Sequence, residues 1–451
     1  MGELFGTDGI RGVANRYPMD VETAVKVGRA VAHFFSNGAS DNGRFVIGQD
    51  TRISGDMLAS ALAAGICSMG KEVYLAGVIP TPGVAHLTAA EGFAAGIVVS
   101  ASHNPYTDNG IKLFGADGCK LSDADEDTIE QLITEPGELD MEGRGIARTG
   151  RVHALKGGRQ RYGAFLKTAM RESVSLAGMK LVIDCANGAA SVMARTLFGE
   201  LGADVIALFC DPDGININVD CGSQHPQMLA RRVVAEKADL GLAFDGDADR
   251  LIAVDESGTV LSGDQIMAIC ASYLKQQGEL DNLTVVTTVM SNMGFGMAMK
   301  KMGLRHIKTK VGDRYVAAAM RETGAVLGGE DSGHMIFAKH HSTGDGMLAA
   351  IKLMEAVQSS GERLSTLASV MTTYPQCLIN VSVKSKPQLE TLATVSAAIE
   401  KAERILGEDG RVLVRYSGTQ PQCRVMVEGP TEKETQQLCR QIADAVTHEL
   451  G

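Results

Sequence analysis

No two of the nine cysteines are spaced as Cys-x-x-Cys. A zinc site of the usual spacing is therefore not indicated, and an odd, scattered set suits a reducing compartment better than a disulfide framework. Basic residues are not in excess: 43 Lys and Arg stand against 54 Asp and Glu, a net charge of −11. A nucleic-acid partner, whose phosphate backbone needs a basic face, is not expected. No apolar run reaches the ~18 residues of a membrane helix, so no membrane partner is expected either. The opening MGELFGTDGIRG lacks the basic and apolar regions of a signal peptide, and Gly6 stands where N-myristoylation needs Ser or Thr. The expected location is cytoplasmic. The serine of greatest interest below lies in no G-x-S-x-G elbow, so acyl transfer is not indicated. A Walker-like run, Gly65-x-x-x-x-Gly70-Lys71, carries Glu72 where Ser or Thr belongs and joins a helix to a strand, the reverse of the required order.

What is present is a chain of 451 residues, 45% hydrophobic. Single cores stop growing beyond about 250–300 residues, so two to four domains are expected. One pattern recurs three times: an apolar strand, a polar or glycine-bearing loop, a helix and another strand. The copies begin at RFVIGQDTR (44–52), MKLVIDCANGAAS (179–191) and LTVVTTVMSN (283–292). Their spacing predicts three related α/β domains with mixed sheets covered by helices. After Tyr374 the pattern changes. LINVSVKS and CRVMVEG read as strands, and TEKETQQLCRQIADAVTHEL (431–450) as a helix with Thr431 and Glu434 in a capping box. This tail is expected to be a smaller α+β domain. The expected boundaries are 1–150, 151–257, 258–370 and 371–451.

Four segments carry chemistry. In Ser100-Ala101-Ser102-His103-Asn104-Pro105 an apolar strand runs into a polar turn, where a hydroxyl is either exposed for reaction or satisfying turn backbone. In Asp245-Gly246-Asp247-Ala248-Asp249-Arg250 three carboxylates at alternate positions lie between the apolar runs LGLAF and LIAV. They can converge on one hard cation, and without one they repel. An EF-hand is excluded, because its sixth position must be Gly and here is Arg250. Mg²⁺ at an active site is preferred, with Arg250 suited to an approaching phosphate. In Gly329-Glu330-Asp331-Ser332-Gly333-His334 Glu330 and Ser332 offer groups suited to sugar hydroxyls. In Arg415-Tyr416-Ser417-Gly418-Thr419, with Arg424 nearby, two guanidinium groups, hydroxyls and a glycine turn suit a phosphate dianion. Two further cations, Arg11 in a glycine-rich loop and Lys112 ten residues after Ser102, are either site residues or surface charges on turns.

In this order, and over nearly the whole chain, the four segments resemble the α-D-phosphohexomutase superfamily. The resemblance implies that Ser102 carries a phosphoryl group and, with Asp245, Asp247 and Asp249, holds Mg²⁺. It implies that Arg11, Lys112 and His334 are catalytic, the last two as general acid and base, and that His103, Arg250, Glu330 and Ser332 meet the substrate. Arg415, Ser417, Gly418, Thr419 and Arg424 would grip the phosphate that is not reacting. A sugar 1,6-bisphosphate would be both intermediate and activator. FGTDGIRG (5–12), NPYTDNGIKLF (104–114), KVGDRYV (310–316) and STGDG (342–346) are most similar to the branch acting on glucosamine phosphates. That implies exchange of glucosamine 6-phosphate and glucosamine 1-phosphate, toward UDP-N-acetylglucosamine and the bacterial cell wall, by an enzyme that could be a homodimer. The phosphomannomutase/phosphoglucomutase branch, a non-catalytic sugar-phosphate binder and a phosphatase are the alternatives.

Overall fold

The computed structural model describes residues 4–6, 8–37, 43–135, 149–417 and 421–451. It separates into one unit of Met1–Met290 with Leu304–Val370 and a second of Ser291–Gly303 with Met371–Gly451.

Three sheets of the first unit share one plan. In the first, strand Arg44–Gln49 lies between Glu72–Val78 and Ala95–Val99, all parallel, and Asp108–Gly115 returns antiparallel to Ala95–Val99. In the second, Lys180–Asp184 lies between Asp204–Leu208 and Leu240–Phe244, and Leu251–Asp255 returns. In the third, Thr284–Thr288 lies between Arg305–Thr309 and Leu327–Gly329, and Met335–Phe337 returns. Numbering the strands within each copy, the order is 2-1-3-4 every time. The first sheet is widened by Phe5–Gly6 and Gly9–Val13 beyond its fourth strand and by Val152–Ala154 beyond its second.

The parallel strands are apolar on both faces because both faces are covered. Along Arg44–Gln49, Phe45 and Ile47 enter one core with Leu62 and Val27, while Val46 enters another with Val84 and Phe93. Helices start where a short side chain accepts an otherwise orphaned N–H. Asp20 takes that of Thr23, and Asp345 takes those of Met347 and Leu348.

The second unit holds an antiparallel sheet in the order Gln376–Ser382, Gln422–Glu428, Arg411–Tyr416. Helix Glu432–Leu450 packs Leu438, Ile442 and Val446 onto it, and Thr431 caps that helix by accepting from the N–H of Glu434. Strand Arg411–Tyr416 was not expected from the sequence, which suggests only a phosphate-binding turn there.

Candidate active site

In each repeated sheet the third and fourth strands form a hairpin, and its turn is one of the three expected loops. Residues 100–107, 245–250 and 330–334 occupy the same place in their respective copies. The chain thus brings three dissimilar sequences to one structural position, and in the first unit these turns touch. Ser102 Oγ donates to Asp245 Oδ2 at 2.5 Å. Arg250 and His334 pair through a backbone bridge, and His334 Nδ1 lies 3.5 Å from Asp249 Oδ2.

Ser102 is buried and holds a left-handed backbone, φ +53°. A fully buried pair beneath the loop, Arg52 with Asp50 at 3.0 Å, supports that conformation. The Arg52 guanidinium donates to the carbonyls of Ser102, Asn104 and Pro105. Asp50 accepts from Ser100 Oγ, which in turn accepts from Ser102 N–H. Asn218 donates to the carbonyls of Ser102 and Asn104 from the second copy. His103 Nδ1 stands 3.2 Å from Ser102 Oγ. Burial, then the cations of Arg250 and Arg11, push the His103 imidazole down to about 4, so it is neutral at pH 7.

The carboxylate oxygens of Asp245, Asp247 and Asp249 lie within 4.8 Å of one another. Burial, then the charges of Asp249 and Asp247, holds the Asp245 carboxyl well above the ordinary range. Among the described residues, Asp247 and Asp249 each have one buried oxygen, Oδ1, with no hydrogen-bond partner. Buried acceptors without donors are rare and costly. Two such oxygens beside a third carboxylate fit the hard-cation site expected from the sequence.

The cations are arranged around these acids. Lys112 sits on the returning strand of the Ser102 hairpin, opposite Val98, and is buried rather than on a turn. Its Nζ reaches Asp247 Oδ2 at 2.8 Å, Asp8 Oδ2 at 3.1 Å and Asp249 Oδ2 at 3.3 Å. Burial alone would lower its pKa, but Asp247, Asp8 and Asp249 outweigh it and hold it well above the usual value. Arg11 pairs with Asp8 and points Nη1 at the carbonyl of Ala101, 3.4 Å away. Arg250 Nε stands 3.9 Å from Asp245 and 3.8 Å from Asp249.

Lys120 joins Asp8 to Asp313, and Asp313 Oδ2 lies 3.4 Å from His334 Nε2. The side chains Lys112, Asp8, Lys120, Asp313, His334 and Asp249 therefore close a ring in which basic and acidic side chains alternate. Gly344 N–H donates to His334 Nε2, which leaves Nδ1 to carry a proton toward Asp249. A Cβ at Gly344 would stand 2.3 Å from that nitrogen, so only glycine fits against the ring. Glu330 Oε1 accepts from Gly312 N–H at 3.0 Å, and Ser332 Oγ is buried without a hydrogen-bond partner among the described residues.

At Gly246 an added Cβ would fall 2.4 Å from the Ser102 carbonyl oxygen. Gly246→Ala must therefore push the acidic loop away from the serine loop, and overpacking of this kind costs about 1–3 kcal/mol. The expected result is a lower thermal midpoint together with a large loss of turnover. Activity at the parent level would show that the two loops need not meet this closely.

Curated relatives cover the whole chain. It is 53% identical over 451 residues to the phosphoglucosamine mutase of Syntrophus aciditrophicus (strain SB), matching 100% of both chains. The phosphoglucosamine mutase of Syntrophobacter fumaroxidans (strain DSM 10017 / MPOB) is 54% identical, again over 100% of both. The chain belongs to the phosphoglucosamine mutase family. It is a phosphosugar mutase, an isomerase that transfers phosphate intramolecularly. Models of phosphoglucomutase/phosphomannomutase α/β/α domains I, II and III match residues 2–140, 160–258 and 262–374, and that of the C-terminal domain matches 378–445. Among solved structures, Aspergillus fumigatus N-acetylphosphoglucosamine mutase in complex with GlcNAc-6P and magnesium has the same fold. Its TM-score is 0.66 at 19% identity, over 99% of this chain and 95% of that one.

Within this family framework the second unit carries Arg415 and Arg424 directly opposite each other on neighbouring strands. Like charges so placed repel. Burial, and then Arg424, lower the Arg415 pKa, and the Nε of each arginine is buried without a hydrogen-bond partner among the described residues. Two residues past Arg415, the Ser417 carbonyl accepts from Lys386 Nζ at 2.7 Å. Gly418 and Thr419 lie outside the described residues. The sequence reading missed Asp8, Lys120, Asp313, Asp50, Arg52, Ser100 and Asn218. Asp8 and Asp313 fall in FGTDGIRG and KVGDRYV, segments that resemble the family but suggest no role for either acid. Of the described helices, none is long and apolar enough to cross a membrane.

Proposed function

We propose that the enzyme interconverts glucosamine 6-phosphate and glucosamine 1-phosphate, through phosphorylated Ser102 and a sugar 1,6-bisphosphate, as a step toward UDP-N-acetylglucosamine. The observation that carries this reading is the contact of Ser102 Oγ with an aspartate triad in which two buried oxygens lack donors. The full-length relatives named for glucosamine support the sugar, and the magnesium complex of the fungal neighbour supports the ion.

Asp245, Asp247 and Asp249, with Ser102, would hold Mg²⁺, which when bound offsets negative charge on the transferring phosphoryl group. Arg11 and Arg250 add donors at the same end. Lys112 and His334 serve as general acid and base for the sugar hydroxyl, with Asp8 against Lys112 and the Gly344 N–H on His334 Nε2 orienting them. His103, Glu330 and Ser332 meet the sugar phosphate. Arg415, Ser417, Gly418, Thr419 and Arg424 grip the phosphate that is not reacting, so that remote binding energy orients the reacting end.

The test is a product assay with Mg²⁺ and a trace of sugar 1,6-bisphosphate, comparing glucosamine, glucose and mannose 1-phosphates. Preference for the glucosamine ester is expected. Turnover of only glucose or mannose esters would move the enzyme to a sister branch, and release of inorganic phosphate would mean that water takes the phosphoryl group. Asp247→Asn should lower turnover at saturating sugar and weaken Mg²⁺ binding; unchanged values would remove the acids from the metal site.

A further inference from the structure

The two oxygens of Asp247 are treated differently by the protein. Oδ2 accepts from Lys112 Nζ at 2.8 Å and from Thr81 Oγ1 at 2.6 Å, whereas Oδ1 is buried and accepts from none of the described residues. Thr81 is fully buried and opens helix Thr81–Ala90, far from the acidic loop in sequence. It holds Asp247 at two points, because its backbone N–H also donates to the Asp247 carbonyl at 3.0 Å. Asp249 is divided in part the same way: its Oδ2 faces Lys112 and His334, while its Oδ1, 3.8 Å from Arg250 Nε, accepts no hydrogen bond among the described residues.

A carboxylate free to rotate would present either oxygen to a cation. Two donors on one oxygen fix the plane of the group and leave the other oxygen outward. Lys112 is shared among Asp247, Asp249 and Asp8, so it does not by itself fix Asp247. The Thr81 hydroxyl makes no other hydrogen bond among the described residues. Its β-branched side chain is restricted at χ1, which keeps that hydroxyl aimed.

We propose that Thr81 is a positioning residue for the metal site: its hydroxyl takes up Asp247 Oδ2 and so assigns Oδ1 to the divalent cation. This rests on the reading of the aspartate triad as a Mg²⁺ site. Loss of a hydrogen bond behind a metal ligand typically costs about 10–100-fold in metal affinity.

The experiment measures Mg²⁺ binding to the full-length protein by calorimetry, with Mn²⁺ paramagnetic resonance as a second readout, for Thr81→Val, Thr81→Ser and Asp247→Asn. Thr81→Val keeps the shape and removes the hydroxyl. It should weaken Mg²⁺ about tenfold or more, while Thr81→Ser stays near the parent. Turnover of Thr81→Val should recover at high Mg²⁺ with the sugar KM unchanged. Parent-like Mg²⁺ affinity in Thr81→Val, alongside weakened binding in Asp247→Asn, would overturn the role of Thr81 and leave the metal site standing. Equal weakening in Thr81→Ser and Thr81→Val would overturn it too, by pointing to the lost packing of a methyl group. Parent-like binding in Asp247→Asn would remove the metal site, and the proposal with it. A thermal midpoint for each variant separates these results from misfolding.

Discussion

Ser102→Ala should cut mutase turnover by at least ~10³-fold if the phosphoryl group passes through Ser102 as proposed, since loss of a covalent nucleophile removes the step itself rather than tuning it. The substitution is otherwise mild. Alanine meets the same left-handed backbone penalty as serine, and the carbonyls of residues 102, 104 and 105 keep their donors from Arg52 and Asn218. The fold should therefore persist, and calorimetry should still detect sugar phosphate binding. Intact-mass spectrometry after incubation with a sugar 1,6-bisphosphate should show one added phosphoryl group on the parent and none on the variant. A variant that turns over at more than a few per cent of the parent, or that still gains the phosphoryl mass, would transfer the nucleophilic role elsewhere.

Arg52→Leu should be the most damaging single change to stability near the site. It removes the guanidinium that donates to the carbonyls of Ser102, Asn104 and Pro105 and leaves the Asp50 carboxylate buried without its cation. Removing one partner of a buried pair costs about 3–5 kcal/mol, more than the pair contributes in net terms, because the other charge stays desolvated. Asp50 shows the strain already: burial raises its pKa even with Arg52 in place. Urea unfolding should register the loss, and Asp50→Asn in the same chain should restore part of it by removing the stranded charge. A loss below ~1 kcal/mol would mean that the serine loop is held by other contacts.

These two positions show what sequence can and cannot disclose. Ser102 was legible because an apolar strand ends in S-A-S-H-N-P, and the acids because three of them interrupt two apolar runs. Each signal is local: a hairpin turn carrying residues that would be wasteful in an ordinary turn. The three copies were legible for the same reason, since strand and helix periods repeat. Arg52, Asp50, Asp8, Lys120 and Asp313 gave no such signal. Each is one charge in an ordinary loop or strand end, and its importance comes from a partner far away in sequence, as between Lys120 and Asp313, or from complete burial, as between Arg52 and Asp50. Lys112 was ambiguous in sequence for the opposite reason. A lysine in NGIKLF could face either side of its strand, and only the register against Val98 and the acids across from it fixes it inward.

The repeated 2-1-3-4 sheet has a consequence for how such a site could have arisen. Three separate copies of one ancestral unit, assembled about an axis, would have to offer the same turn three times. A centre made of three serines, or of three acidic loops, would lack either the group that is attacked or the groups that stabilise the attack. Joining the copies in one polypeptide frees each turn to change without altering the other two. Division of labour among former equals is thus available only to the fused chain. On the proposed mechanism one turn serves as donor, one as ion holder and one as reader.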